Sequence, residues 1–260
     1  MKTVVFHSYK GGTGKTTLAT NTAIQLAQEH KVVLVDFDLR APSLGAYFKP
    51  DPKVKPFSDY LLGEVSIEET MQTIPNTNGN LQVAFSSLDF LRKESEKRGK
   101  LVQRNDAILN RLFDATRKLD ENCDLFLIDS MPGVSYRALD ALLVADRIIV
   151  ATRPMKSDVT GLSRLLVEIY QPLREDAAVG LVVNQVEDRT SPSSTSKRDA
   201  DVIEAALSEI QELASSAGVE ILEIIPRIPL VTERLYPLEE PTHPICPYLK
   251  TLSEKVFVGW

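Results

Sequence analysis

HSYKGGTGKTT, residues 7–17, stands directly behind a short apolar run and directly ahead of a segment with helical spacing. A loop that folds backbone amides round a phosphate is usually spelled G-x-x-x-x-G-K-[ST]. Gly14, Lys15 and Thr16 supply the end of that spelling, but Tyr9 occupies the place of its first glycine. An additional lysine, Lys10, precedes the Gly11-Gly12 pair. The stretch is either a damaged phosphate loop or a variant with a second cation built in.

Outward from this loop, apolar runs alternate with helical patterns along the whole chain. Buried strands are expected at 3–7, 31–37, 81–87, 124–130, 147–153 and 179–185, all rich in Val, Ile and Leu. Helices are expected at 15–29, 105–119, 135–145, 158–170 and 199–214, where apolar residues recur once per turn. Continuous apolar strands separated by amphipathic helices predict an α/β fold: a mostly parallel central sheet flanked by helices on both faces. The polar, Ser-rich stretch 187–201 reads as a surface loop. The segment 225–247 holds six prolines and reads as irregular with one short helix. With no repeat and no linker in view, one domain is expected over 1–260.

The totals narrow the function classes. The chain is 43% hydrophobic and 25% charged, an ordinary globular composition. No run approaches the roughly 18 apolar residues of a spanning helix, and MKTVVFHSY carries no signal-peptide pattern, so a cytoplasmic location is expected. Cys123 and Cys246 form no C-x-x-C, which argues against a disulfide framework or a cysteine-held cluster. The net charge of −6 gives no overall attraction for nucleic acid or anionic lipid, so either surface would have to be met by a local basic face.

The loop itself has the parts a triphosphate requires. Gly11, Gly12 and Gly14 let the backbone approach closely, and the helix opening at Lys15 adds its partial positive charge. Lys15 can reach the outer phosphates, and the Thr16 hydroxyl suits Mg²⁺.

K-G-G-x-G-K-T-T, Lys10 to Thr17 here, resembles the deviant Walker A loop of the ParA/MinD family of P-loop ATPases. The resemblance implies a P-loop NTPase fold, ATP and Mg²⁺ as ligands, and a nucleotide cradle made of Lys10, Gly11, Gly12, Thr13, Gly14, Lys15, Thr16 and Thr17. It also implies that Lys10 reaches across a homodimer to the partner's phosphates. VVLVDFD (32–38) is similar to the family's second strand, which implies Asp36 near the Mg²⁺ shell and Asp38 orienting the attacking water. DLFLIDSMPG (124–133) is similar to a Walker B strand running into switch II, which implies Asp129 holding Mg²⁺ through water and Gly133 at the γ phosphate. By the same resemblance Asn184, Pro226 and Arg227 flank the base. The chain reads N-Q-V-E from 184 where a guanine site would read N-K-x-D, so adenine is expected.

The expected function is an ATP-hydrolysing dimerising switch for partitioning or division-site placement, with an unknown protein activator. Two surfaces stay open for the ATP state. Non-specific DNA would use Arg189, Lys197 and Arg198, or the RKESEKRGK cluster at 92–100. A membrane would use the last helix, 247–257, and its tail Phe257, Val258 and Trp260; the stripe Leu249, Leu252 and Val256 reads sooner as core packing. Two alternatives share the loop. A metal-cluster carrier would need bridging cysteines. A tyrosine kinase is suggested by DFDLRAPSLGAYF (36–48), although such kinases lack the extra lysine and carry a C-terminal tyrosine cluster.

Overall fold

The computed structural model describes residues 1–98, 105–173, 176–187, 197–229 and 233–259. In chain order its main elements are β1 (Lys2–His7), α1 (Lys15–Leu26), β2 (Val32–Phe37), α2 (Leu44–Phe48), α3 (Phe57–Leu61), β3 (Gln72–Thr73), β4 (Leu81–Ala84), α4 (Phe90–Arg98) and α5 (Asn105–Leu119). There follow β5 (Leu125–Ser130), α6 (Tyr136–Leu143), β6 (Arg147–Thr152), α7 (Lys156–Leu165) with a π turn at Leu166–Tyr170, and α8 (Gln171–Leu173). β7 (Ala178–Val186), α9 (Lys197–Ala217), β8 (Glu220–Pro226), α10 (Tyr236–Glu239) and α11 (Cys246–Val258) complete the order.

The eight strands form one sheet in the order β3-β4-β2-β5-β1-β6-β7-β8, parallel throughout except for β3 on β4. Alternation of side chains along each strand feeds two separate cores. Val33, Val35 and Phe37 of β2 join Phe126 and Ile128 of β5 beneath α5, α6, α7 and α9. Val32, Leu34, Leu125 and Leu127 face the other way, beneath α1 and α11. This explains the continuous apolar runs, since a strand covered on both faces has no polar side to show.

The expected strands and helices stand within a few residues of their places, with five corrections. The run expected as a strand over 81–87 leaves the sheet after Ala84, and α1 ends at Leu26, short of residue 29. The helix expected over 158–170 starts at Lys156 and widens into the π turn over its last five residues. The segment 225–247 is not irregular at its start, because Ile225 and Pro226 end the edge strand β8; α10 is its short helix. Of the loop expected at 187–201, residues 188–196 lie outside the described residues, and 197–201 are the first turn of α9.

The C-terminal helix answers one open alternative. Leu249, Leu252 and Val256 are completely buried in the α1-side core, so its apolar stripe is packing. Phe257 stacks on the His30 ring, with centroids 3.7 Å apart, and Trp260 lies outside the described residues. Among the described residues no helix is long and apolar enough to cross a membrane.

The segment before α11 is tied down by one buried side chain. The Asn21 amide donates to the carbonyls of Thr17 (3.0 Å) and Arg234 (3.2 Å), and its oxygen accepts from the Tyr236 amide (2.7 Å). Asn21→Ala strands two long-range backbone groups in a dry interface and is expected to cost about 2–3 kcal/mol. Urea unfolding monitored by circular dichroism measures that loss.

Candidate nucleotide site

The loop joining β1 to α1 opens at the carboxyl edge of the sheet, where α/β folds place their ligands. Its shape depends on glycine at two points. Gly12 and Gly14 adopt φ of +79° and +86°, and a Cβ at Gly14 would lie 2.3 Å from the Asn184 side-chain nitrogen. Tyr9, in place of the usual first glycine, is not a defect: its ring lies where a Cβ on Gly161 of α7 would be, 1.9 Å from the built position. The root of the loop is therefore seated in a notch cut into α7.

The loop borders a cavity of about 330 Å³ whose lining includes Lys10, Lys15, Thr16, Asp38, Tyr47 and Glu233. Beneath it, Lys15 Nζ pairs with Asp129 Oδ1, and Thr16 Oγ1 donates to Asp129 Oδ2 at 2.7 Å. Asp129 is completely buried and Lys15 nearly so. The parallel register that sets Phe6 beside Asp129 brings the loop and this carboxylate to one edge. Lys10 is exposed on the lip of the cavity and forms no ion pair with any described residue.

Asp36 stands beside Asp129 and is held by backbone amides. Asp36 Oδ1 accepts from the Asp38 amide (3.1 Å), and Oδ2 accepts from the amides of Ser43 (2.8 Å) and Leu44 (2.9 Å). These bonds make it a brace for the turn into α2. Burial pushes its pKa up to about 7, the charge of Asp129 adds to the rise, and the three amides oppose it. Asp38 is half-buried in the cavity wall and accepts from the Ala41 amide at 3.1 Å; burial raises its pKa.

Asn184 touches the loop directly. Its Nδ2 donates to the Thr13 carbonyl (2.8 Å) and its oxygen accepts from the Gln185 amide (2.9 Å), so it props the loop from behind. Pro226 ends β8 opposite Val186, and the exposed Arg227 pairs with Glu187. Arg227 shares a second cavity of about 530 Å³ with Arg153 and Gln185, on the Asn184 side of the loop. Gly133 has φ of +79°, and its N–H donates to the Ser8 carbonyl at 2.8 Å.

Sequence reasoning missed several residues here. Tyr47 meets the Thr17 hydroxyl at 2.8 Å, Ser43 donates to Thr16 Oγ1 at 3.4 Å, and Glu233 is held at φ of +66° on the cavity wall. His7 lies completely buried under the loop, with its Nε2 3.0 Å from the Gly133 carbonyl and its Nδ1 against the Tyr170 hydroxyl. The apolar run that marks His7 as the end of a strand carries no sign of these partners.

The donors fit a triphosphate with a divalent cation. Glycine-rich backbone and two lysines suit the anion, while the Thr16 hydroxyl and the Asp129 carboxylate are oxygen ligands of the kind Mg²⁺ takes. Thr13 Oγ1, buried in the loop, has no hydrogen-bond partner among the described residues.

Burial holds the His7 pKa down at about 4, against an ordinary value of 6.5. The unfolded chain thus binds the extra proton between those values, and stability present above pH 6.5 is lost as pH falls towards 4. His7→Phe is expected to flatten that part of the stability–pH curve by about 3 kcal/mol. Urea titrations from pH 4 to 7 measure it.

The comparisons agree with this geometry. Residues 1–178 match the family model described as an AAA domain. A ParA family protein of Chlamydia trachomatis is 32% identical over 168 residues, which are 64% of this chain and 64% of that protein. The virulence plasmid ParA family protein pGP5-D of Chlamydia psittaci is 30% identical over 207 residues, 75% of this chain and 73% of that protein. The McdA–ATP complex of Cyanothece superposes with a TM-score of 0.78 at 20% identity, covering all of this chain and 97% of that one, which speaks for the fold alone. These matches fit a partitioning-type ATPase better than a metal-cluster carrier or a tyrosine kinase. The chain belongs to the ParA/MinD family of P-loop ATPases.

Proposed function

We propose that this chain acts as one ATPase domain over 1–260 that hydrolyses ATP and works as a nucleotide-switched homodimer, used to position cargo inside the cell. The observation that carries the reading is the separation of the two loop lysines. Lys15 is buried on Asp129, whereas Lys10 stands exposed at the rim of the same cavity. A lysine so placed is available to a nucleotide held by a second copy.

Each residue then has a task. The loop amides and Lys15 hold the phosphates, with Lys15 leaving Asp129 to do so. Thr16 and Asp129 would hold Mg²⁺, which supplies charge neutralisation at the phosphoryl oxygens. Asp38, on the cavity wall, orients water for in-line attack. Lys10 of one copy neutralises phosphate charge on the other, which makes dimerisation depend on the nucleotide. Gly133 reads the γ phosphate, and an adenine lies on the Asn184 side of the loop near Pro226 and Arg227. A protein activator raises the turnover.

Non-specific DNA is the surface we favour for the ATP state, placing the cytoplasmic protein on the nucleoid. The membrane alternative gains nothing from the apolar stripe of α11, which is used in the core, and rests on the exposed tail residues Phe257 and Val258. Within the basic cluster at 92–100, Arg92 pairs with Asp89 and Glu96, and Lys93 with Asp59 and Glu64, so these two are neutralised locally. Lys100 and Arg189, and the side chains of Lys97 and Arg98, lie outside the described residues; the positions we take for DNA are Lys197 and Arg198, in the first turn of α9.

Phosphate release from Mg-ATP is expected to fall on the order of 10²-fold or more in Lys15→Ala and in Asp38→Ala. Equal turnover in wild type and both variants would remove the assignment. With Asp38→Ala protein and Mg-ATP, duplex DNA binding is expected to weaken steeply with salt and to be lost in Lys197→Glu/Arg198→Glu. Binding to anionic vesicles in place of DNA would move the surface to the membrane.

A further inference from the structure

An imidazole enclosed at the end of a central strand is costly unless both ring nitrogens are used. In His7 both are, and the partners fix the direction of each hydrogen bond. The Gly133 carbonyl can only accept, so Nε2 carries the hydrogen. Nδ1 of the neutral ring is then an acceptor, and the Tyr170 hydroxyl donates to it. The relay runs one way: Tyr170 O–H to Nδ1, then Nε2–H to the Gly133 oxygen.

Gly133 is therefore gripped on both flanking peptides. Its N–H donates to the Ser8 carbonyl at 2.8 Å, and its C=O accepts from His7 at 3.0 Å. Ser8 and His7 are consecutive residues at the root of the nucleotide loop. An N–H committed to Ser8 cannot also donate to a phosphate oxygen. A shift of Gly133 towards the cavity that carries both flanking peptides releases the Ser8 bond and also moves the carbonyl off His7.

The far end of the relay is equally built in. Tyr170 is completely buried and closes the π turn Leu166–Tyr170 at the end of α7. Such single-turn insertions re-aim side chains within a helix. The same helix receives the Tyr9 ring at Gly161, so α7 braces the root of the loop at two points, Tyr9 and His7.

We propose that His7 is a positioning residue for switch II: a latch that holds Gly133 in the arrangement without γ phosphate, with Tyr170 fixing the ring tautomer that makes the latch. It rests on the proposed reading of Gly133 as the γ-phosphate sensor. The latch sets a bias against ATP relative to ADP, since only ATP requires Gly133 to turn.

The test compares wild type with His7→Phe, His7→Gln and Tyr170→Phe. Amide hydrogen exchange of residues 131–135 is measured without nucleotide, and affinities for Mg-ATP and Mg-ADP by calorimetry. His7→Phe is expected to speed exchange in 131–135 and to raise the preference for ATP over ADP about five-fold, the scale of one buried hydrogen bond. His7→Gln, whose amide nitrogen can reach the same carbonyl, returns both readings towards wild type. A merely structural role would lower stability without moving the ATP-to-ADP preference. Wild-type exchange in 131–135 overturns the latch, as does an unchanged or reduced ATP preference in His7→Phe. If His7→Phe does not fold, Tyr170→Phe decides through exchange alone: faster in 131–135 supports the latch, unchanged overturns it. A wild-type protein that binds neither nucleotide overturns the ATPase reading, while the exchange data, taken without nucleotide, still judge the latch.

Discussion

An ammonium and a carboxylate, both withdrawn from water, hold the carboxyl edge of the sheet together: Lys15 on Asp129, with Thr16 on the second carboxylate oxygen. Neither charge could stay buried alone, because removing one partner of such a pair typically costs about 3–5 kcal/mol. The pairing of β1 with β5 brings the two to the same edge, and the pairing of β2 with β5 sets Asp36 beside Asp129. Asp36 feels that proximity, its pKa raised chiefly by burial and further by Asp129. The resting site thus neutralises itself from within. A consequence for the proposed cycle is coupling: if Lys15 turns to an anion, Asp129 and Thr16 are left requiring a cation, so phosphate and metal are taken up together.

The surroundings of the loop restrict what can move. Asn184 holds the Thr13 carbonyl from behind, and its nitrogen fills the space a side chain at Gly14 would need. Tyr9 lies in the Gly161 notch, and Gly133 is tied to Ser8 and His7. Against these fixed points Lys10 stands exposed at the rim. A loop rigid at its base with one free cation at its mouth is suited to a site completed from outside. The substitution of tyrosine for glycine at position 9 is intelligible on the same terms, because the ring anchors the loop to α7 where glycine would leave it loose.

What the sequence made legible was local. The inner strands β2, β5, β1, β6 and β7 are largely contiguous apolar runs, and the phosphate loop, Asp36-x-Asp38 and Asp129 sit at fixed offsets from strand ends. The edge strand β8 escaped because Glu220 and Glu223 interrupt its apolar residues and Pro226 closes it, so it merges by composition with the proline-rich stretch beyond. The backbone partners of Asp36 and Asn184 were hidden for a related reason: a motif fixes where a carboxylate or amide stands but not which backbone groups claim it. The links of His7 to Tyr170 and of Tyr9 to Gly161 span more than 150 residues each, and no spacing rule along the chain encodes them.

The central claim, that Lys10 completes a site shared between two copies, is tested most directly by the mass of the particle in solution. Light scattering on Asp38→Ala protein should give a dimer with Mg-ATP and a monomer with Mg-ADP, and adding Lys10→Ala should return the ATP form to a monomer. A particle whose mass ignores the nucleotide, or a dimer that survives the loss of Lys10, would contradict the account.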